Sequence, residues 1–334
     1  MKLTREQIKS ALCGVSYTVE NGGLELHRMT KQQEKAFEES QMPRAGAGTR
    51  MSFRTDATKI RVKFEVAAVG SSRKFASCDI LVNGGLVWQI KNFADNELKY
   101  NNLAVERPLG VMEGEAALGV GEKHVEVLFP WPVSCKLHEV ELTGGELYEP
   151  VKREKILFCF GDSISQGYDA KFLINRYADN LARALGAEEY NFAVGGDRFR
   201  PALAEAKAAA DPDYITVGYG TNDWSCMALA DVEKRCVAFY KNLSKNFPRA
   251  KIFAITPIWR DDYEKETPFG DFLGVAKIIE NACKGLANVT VICGWDLVPH
   301  DKVLYSDLYV HPSDEGFHYY AKNLTARILQ ELTE

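Results

Sequence analysis

Through the first half of the chain, apolar and polar residues alternate with a period of two. In Lys59-Ile60-Arg61-Val62-Lys63-Phe64-Glu65-Val66 every second side chain is apolar and every other one is charged. His124–Phe129 and His138–Leu142 repeat the pattern, and Arg50–Thr55 reads as a strand leading into the first of these runs. A period of two puts one face of an extended segment in a core and the other in water, the habit of antiparallel sheets. Asn83-Gly84-Gly85, between Ile80-Leu81-Val82 and Leu86-Val87-Trp88, predicts a hairpin turn. Residues 1–149 therefore read as an all-β domain, a sandwich or jelly roll, with a short helix within Thr30–Ser40.

The pattern changes across the polar stretch Glu146–Glu154, which contains Pro150 and marks the boundary to a second domain, residues 150–334. Beyond it, short apolar runs alternate with amphipathic segments. The runs Lys155–Phe160, Tyr190–Ala193, Tyr214–Val217, Lys251–Thr256 and Val289–Cys293 predict strands. Phe172–Leu185, Pro201–Ala210, Val232–Asn246, Phe272–Leu286 and Asp314–Leu332 predict helices. This is the signature of an α/β fold: a doubly wound parallel sheet of five strands, with helices on both faces.

Composition narrows the function classes. A length of 334 residues suits two domains, and a formal net charge of -5 gives no basic face for nucleic acid or an anionic membrane surface. No apolar run is long enough for a membrane span, and the polar start of the chain has no secretion-signal core, so a cytoplasmic protein without a membrane partner is expected. Eight cysteines are scattered without a C-x-x-C pair. They read as buried free thiols, Cys159 and Cys293 among them, rather than as metal ligands or disulfides. Neither a metal nor an organic cofactor is expected, and the oligomeric state is open.

Four stretches follow predicted strands or lie in the last loop: Gly161-Asp162-Ser163, Ala193–Asp197, Gly220-Thr221-Asn222-Asp223, and Asp307 to His311-Pro312. In a parallel sheet all four would meet at the carboxyl edge, where ligands bind. Serine becomes a nucleophile when a base takes its proton, and histidine suits that task near neutral pH. The backbone N–H groups of Ser163 and Gly196 and the Asn222 amide could then receive an oxyanion. Read singly, each has a plainer role. Ser163 could cap a helix, Gly195 and Gly196 could form a tight turn, the reading adopted for Gly195, and Asn222 could be a turn residue. Asp162 and Asp223 read as loop braces. His27, His124, His138, His300 and His318 read as structural, while Tyr168, Trp224, Trp259 and Arg260 could line a pocket or simply pack.

Taken together, the four stretches resemble the ordered sequence blocks of the SGNH, or GDSL, hydrolases over the whole second domain. There is no G-x-S-x-G elbow of the ordinary α/β-hydrolase kind. The resemblance implies Ser163 as nucleophile, His311 as general base, and Ser163, Gly196 and Asn222 as oxyanion donors. Asp307 becomes the acidic partner of His311, with Asp314 as an alternative that better fits a helix N-cap. That family usually places its aspartate three residues before the histidine, whereas Asp307 lies four before His311. The spacing leaves two options, an extra loop residue or a backbone carbonyl that orients His311. A β-sandwich ahead of such a domain is similar to the layout of some bacterial carbohydrate acetylesterases. The expected function is hydrolysis of short acyl esters on a small-molecule or oligosaccharide substrate, with O-acetyl groups on carbohydrate as the expected target. The alternatives are a lysophospholipase or acyl thioesterase on the same residues, or a carbohydrate-binding protein with an inert second domain.

Overall fold

The computed structural model describes residues 1–333 except 95, 96 and 99–102. The period-two segments pair as their pattern predicts. Lys59–Ala67 lies between Ser134–Thr143 and Gly110–Ala117 in a five-stranded antiparallel sheet that Tyr17–Glu20 and Leu24–His27 complete. Facing it, Leu12–Cys13, Arg50–Thr55, Lys123–Leu128, Ser77–Val82 and Gly85–Lys91 follow one another in the second sheet. Ile60, Val62 and Phe64 from one sheet meet Met51, Phe53, Val125 and Val127 from the other in one buried core. Each such side chain contributes roughly 1.5–3 kcal/mol relative to exposure. In the Asn83-Gly84 hairpin both turn residues have positive φ, 49° and 83°, as a type I′ turn requires. Tyr148–Pro150 still pairs with Arg50–Thr55, so the change of pattern begins just after Pro150. The sandwich also carries the helix Arg5–Ala11, which the sequence reading missed although Thr4 and Gln7 form a capping box at its start.

The second half is a doubly wound sheet. Its strands run in the order Ala187–Asn191, Lys155–Gly161, Tyr214–Gly218, Lys251–Ile255, Val289–Ile292, all parallel. Leu229–Asn246 and Gly274–Cys283 cover one face, burying Phe239 and Ile279. Tyr177–Ala184 and Asp314–Thr333 cover the other, burying Leu181 and Leu324. Four strands lie close to their predicted bounds, but the one expected over Tyr190–Ala193 starts at Ala187. Two glutamates disguised it. Glu188 is ion-paired with Arg50 of the sandwich, and Glu189 takes two hydrogen bonds of 2.9 Å from Arg176. Buried charges are tolerated in a strand when paired in this way.

Arg176 also interrupts the helix predicted over Phe172–Leu185. It adopts an extended conformation (φ -55°, ψ 132°), leaving a 3-10 turn at Leu173–Asn175 and a helix from Tyr177. Pro201–Glu205 and Lys31–Lys35 are shorter than expected. Met29 and Phe37, which flank Lys31–Lys35, sit in the same core as Phe158 and Phe192 of the parallel sheet. The N-terminal segment thus helps to close the α/β half. All eight cysteines are free; Cys159 is buried as expected, but Cys293 lies one residue beyond its strand and is exposed. Among the described residues, no helix is long and apolar enough to cross a membrane.

Candidate active site

The strand order reverses between Lys155–Gly161 and Tyr214–Gly218, and such a switch point opens a crevice at the carboxyl ends of the strands. Ser163 follows the first of these strands as the opening residue of the helix Ser163–Gln166. The cap of that helix is Asp162, whose carboxylate accepts the Ile164 amide at 2.9 Å. The Ser163 hydroxyl is therefore free of capping duty, and it lies 2.8 Å from His311 Nε2. On the far side of the ring, His311 Nδ1 lies 2.6 Å from Asp307 Oδ2. With the proton on Nδ1, where only a carboxylate accepts it, Nε2 is left to accept from the serine.

The four-residue spacing is absorbed in the loop itself. Leu308 takes a left-handed conformation (φ 63°), and Asp307 Oδ1 collects the amides of Tyr309, Val310 and His311 at 3.2, 2.9 and 3.0 Å. Of the two options the spacing left open, the structure has the extra residue. Burial on its own would raise the Asp307 carboxyl. The hydrogen bond and charge of His311, with those amides, outweigh it and hold the group at about 2.

Asp162 and Asp223 brace loops, as expected. Asp223 accepts the Phe199 and Gly220 amides at 3.1 and 3.2 Å. Burial pushes Asp162 up to about 7 and Asp223 up to about 6. Asn222 spends one hydrogen of its amide on the Asp197 carbonyl, 3.1 Å away, and keeps the other. The amides of Ser163 and Gly196 donate to no acceptor among the described residues.

The loop bearing Gly196 is tied to the serine helix through Gln166. Its Oε1 accepts the Gly195 amide at 2.7 Å, and its Nε2 donates to the Trp131 carbonyl of the sandwich at 2.9 Å. Of the two glycines, Gly196 makes the turn, with φ 75°. Gly195, which the sequence reading assigned to the turn, is instead a close approach: a Cβ there would stand 2.4 Å from the Tyr168 hydroxyl. Gly195→Ala is expected to destabilise the protein by about 1–3 kcal/mol, the usual cost of overpacking, in urea unfolding. An unchanged midpoint would contradict that account.

The remaining candidates divide. Tyr168 belongs to the site: its ring stacks on His311 at 5.4 Å between centroids, and its hydroxyl lies 2.9 Å from that of Ser71. Trp224 is fully buried and donates to the Gly270 carbonyl, and the buried Trp259 stacks on the exposed His300. Arg260 is spent on Asp262, Ser225 and the Thr221 carbonyl, so it braces the helix Thr221–Cys226 that carries Asn222. Asp314 is not the N-cap expected of it. Ser313 accepts the Gly316 amide, while Asp314 anchors Phe172 and Asn175. Of the other histidines, His27 pairs with Glu34, His124 with Ser52, His138 with Glu65 and His300 with the Trp295 carbonyl.

Sequence reasoning missed Asp169 and Arg73. Asp169 Oδ2 is 3.7 Å from His311 Nδ1, and its carboxylate is gripped by Arg73, 96 positions earlier. No local pattern signals a contact of that range. Asp169, Asp307 and His311 bring metal-ligand atoms within 4.8 Å of one another. A cation fits this trio poorly, because Arg73 and the imidazole already hold the two carboxylates.

Comparison with known proteins agrees with this geometry. Residues 159–319 match the GDSL-like Lipase/Acylhydrolase family. No curated protein matches the chain. Among solved structures, a salicylyl-acyltransferase, SsfX3, from a tetracycline biosynthetic pathway is 19% identical (TM-score 0.75, covering 97% of this chain and 95% of its own). An acetyl xylan esterase, Est2A, from the rumen bacterium Butyrivibrio proteoclasticus is 14% identical (TM-score 0.63, 100% and 98% covered). A family two carbohydrate esterase from Cellvibrio japonicus is 17% identical (TM-score 0.61, 86% and 89%). At these identities the likeness is one of fold, and it extends over both halves of the chain.

Proposed function

From the match of residues 159–319 to the GDSL-like Lipase/Acylhydrolase family we infer a serine esterase acting on short acyl esters, with O-acetyl groups on carbohydrate as its substrate. The observation that carries this reading is the hydrogen-bonded line Ser163–His311–Asp307 at the switch point of the sheet. Ser163 attacks the ester carbonyl while His311 Nε2 takes its proton. Asp307 holds the Nδ1–H tautomer and stabilises the imidazolium. The protonated histidine then releases the alcohol, and a water activated by the same nitrogen frees the acid. In this reading the amides of Ser163 and Gly196 and the remaining Asn222 hydrogen receive the oxyanion.

The carbohydrate assignment draws support from the acetyl xylan and family two carbohydrate esterases that share both halves of the fold. We take residues 1–149 and 150–334 as the two units, and the eight free thiols favour a reducing, cytoplasmic setting.

Two measurements bear on the reading. Rates on p-nitrophenyl acetate, butyrate and octanoate, with acetylated xylo-oligosaccharides alongside, should fall with acyl length. A preference for octanoate would move the substrate to lipids or thioesters, and binding of oligosaccharide without turnover of any ester would leave a binding protein. Asn222→Ala should lower kcat by about 10²–10³-fold with little change in KM, the usual result of removing one oxyanion donor. An unchanged kcat would remove Asn222 from the hole.

A further inference from the structure

We propose that Asp169 is a second carboxylate partner of the His311 imidazole, and that Arg73, reaching across from the β-sandwich, fixes that carboxylate and balances the charge the histidine feels. The proposal rests on the reading of His311 as the general base, and it makes the sandwich a working part of the site.

Asp169 is held in an uncommon backbone conformation. Its φ is 70°, the left-handed region that few non-glycine residues enter, aspartate more readily than most. What holds it there is visible. Arg73 Nε donates to Asp169 Oδ1 at 2.6 Å and its terminal nitrogen to Oδ2 at 3.0 Å, the two-pronged geometry that fixes a carboxylate in both position and plane. The Asp169 side chain is wholly buried, and that of Arg73 is 11% exposed. The Arg73 guanidinium also lies over the Tyr168 ring, 5.6 Å from its centroid, and that ring stacks on His311. Ser71, two residues before Arg73, meets the Tyr168 hydroxyl. One short segment of the sandwich thus grips both residues that touch the back of the imidazole.

The charges explain why the pair is needed as a pair. His311 faces Asp307 from its own loop, Asp169 and Tyr168 from the segment after the serine helix, and the Ser163 hydroxyl at Nε2, while Arg73 of the sandwich stands behind Asp169 and Tyr168. The Asp162 carboxylate also feels its charge. A second bare carboxylate 3.7 Å from Nδ1 would hold the ring protonated and idle as a base. Arg73 cancels that charge while leaving the Asp169 oxygen in place to limit rotation of the ring. As positioning residues of opposite sign, the two should displace His311 in opposite directions when removed singly.

The test is the acid limb of kcat/KM against pH, together with the His311 titration read directly by NMR of histidine-labelled protein and assigned with His311→Asn. Arg73→Gln should move both upward by about one pH unit, and Asp169→Asn should move both downward by a similar amount. The double variant should return close to wild type. Arg73→Lys keeps the charge and loses the fork, so its limb should stay in place while kcat falls severalfold. Limbs that do not move, or that move in the same direction in both single variants, would overturn the proposal and reduce the pair to a tie between the two halves. If Arg73→Gln fails to fold, Asp169→Asn and Arg73→Lys decide by the same readings. The NMR titration needs no substrate. A protein without esterase activity would therefore defeat the serine-esterase reading while the coupling was still decided.

Discussion

Ser163→Ala is expected to lower kcat for p-nitrophenyl acetate by on the order of 10⁵–10⁶-fold with the unfolding midpoint nearly unchanged. The size follows from what the hydroxyl does and what it does not do. It makes no capping hydrogen bond, because Asp162 caps the helix, and its hydrogen-bond partner in the structure is His311 Nε2. Its loss should cost chemistry rather than fold. The residual activity would come from the oxyanion donors and from binding, which survive removal of the nucleophile. KM should change little, since a truncation that leaves the cleft intact removes an interaction made in the transition state. A loss smaller than tenfold would show that the acyl group never passes through Ser163.

The same residues show how far a sequence carries. The two architectures were legible because each rests on a period: two in Lys59–Ala67, and alternating apolar runs and amphipathic segments after Lys155. The strand Ala187–Asn191 was misplaced because its glutamates look like solvent-facing residues until Arg50 and Arg176 are seen beside them. Ser163, Gly196 and Asn222 could be picked out because each follows a strand and a parallel sheet gathers such ends together; His311 could be picked out only as the histidine of the last loop, before the final helix. Asp307 was legible only as a candidate. Whether a spacing of four could reach the imidazole depended on Leu308 entering the left-handed region, which leucine composition does not announce. Gln166, Asp169 and Arg73 were invisible. Their roles come from contacts between the halves of the chain, and pairing between distant segments leaves no trace in local periodicity.

Asp307→Asn should cost about 10⁴-fold in kcat, and it should also change how stability depends on pH. The catalytic effect comes from the tautomer. An asparagine can present its N–H₂ group to Nδ1, which then becomes an acceptor; the ring proton moves to Nε2, and the serine has no base. The effect on stability follows from the carboxyl, held at about 2 in the folded protein against about 3.9 in an unfolded chain. A depressed value stabilises the fold above the unfolded value, and the gain is lost as pH falls from about 4 through 2, below which both states are protonated. The full difference corresponds to about 2–3 kcal/mol, and the side chain, 9% exposed, is little screened by solvent. Between pH 5 and pH 2 the wild type should therefore lose about 2 kcal/mol more than Asp307→Asn in urea unfolding. The subtraction cancels the other carboxyls common to both proteins. If activity fell less than tenfold while this acid-linked term vanished as expected, Asp307 would be a structural anchor for its loop. Control of the imidazole would then pass to the carboxylate behind it, Asp169, which Arg73 already holds in range of Nδ1.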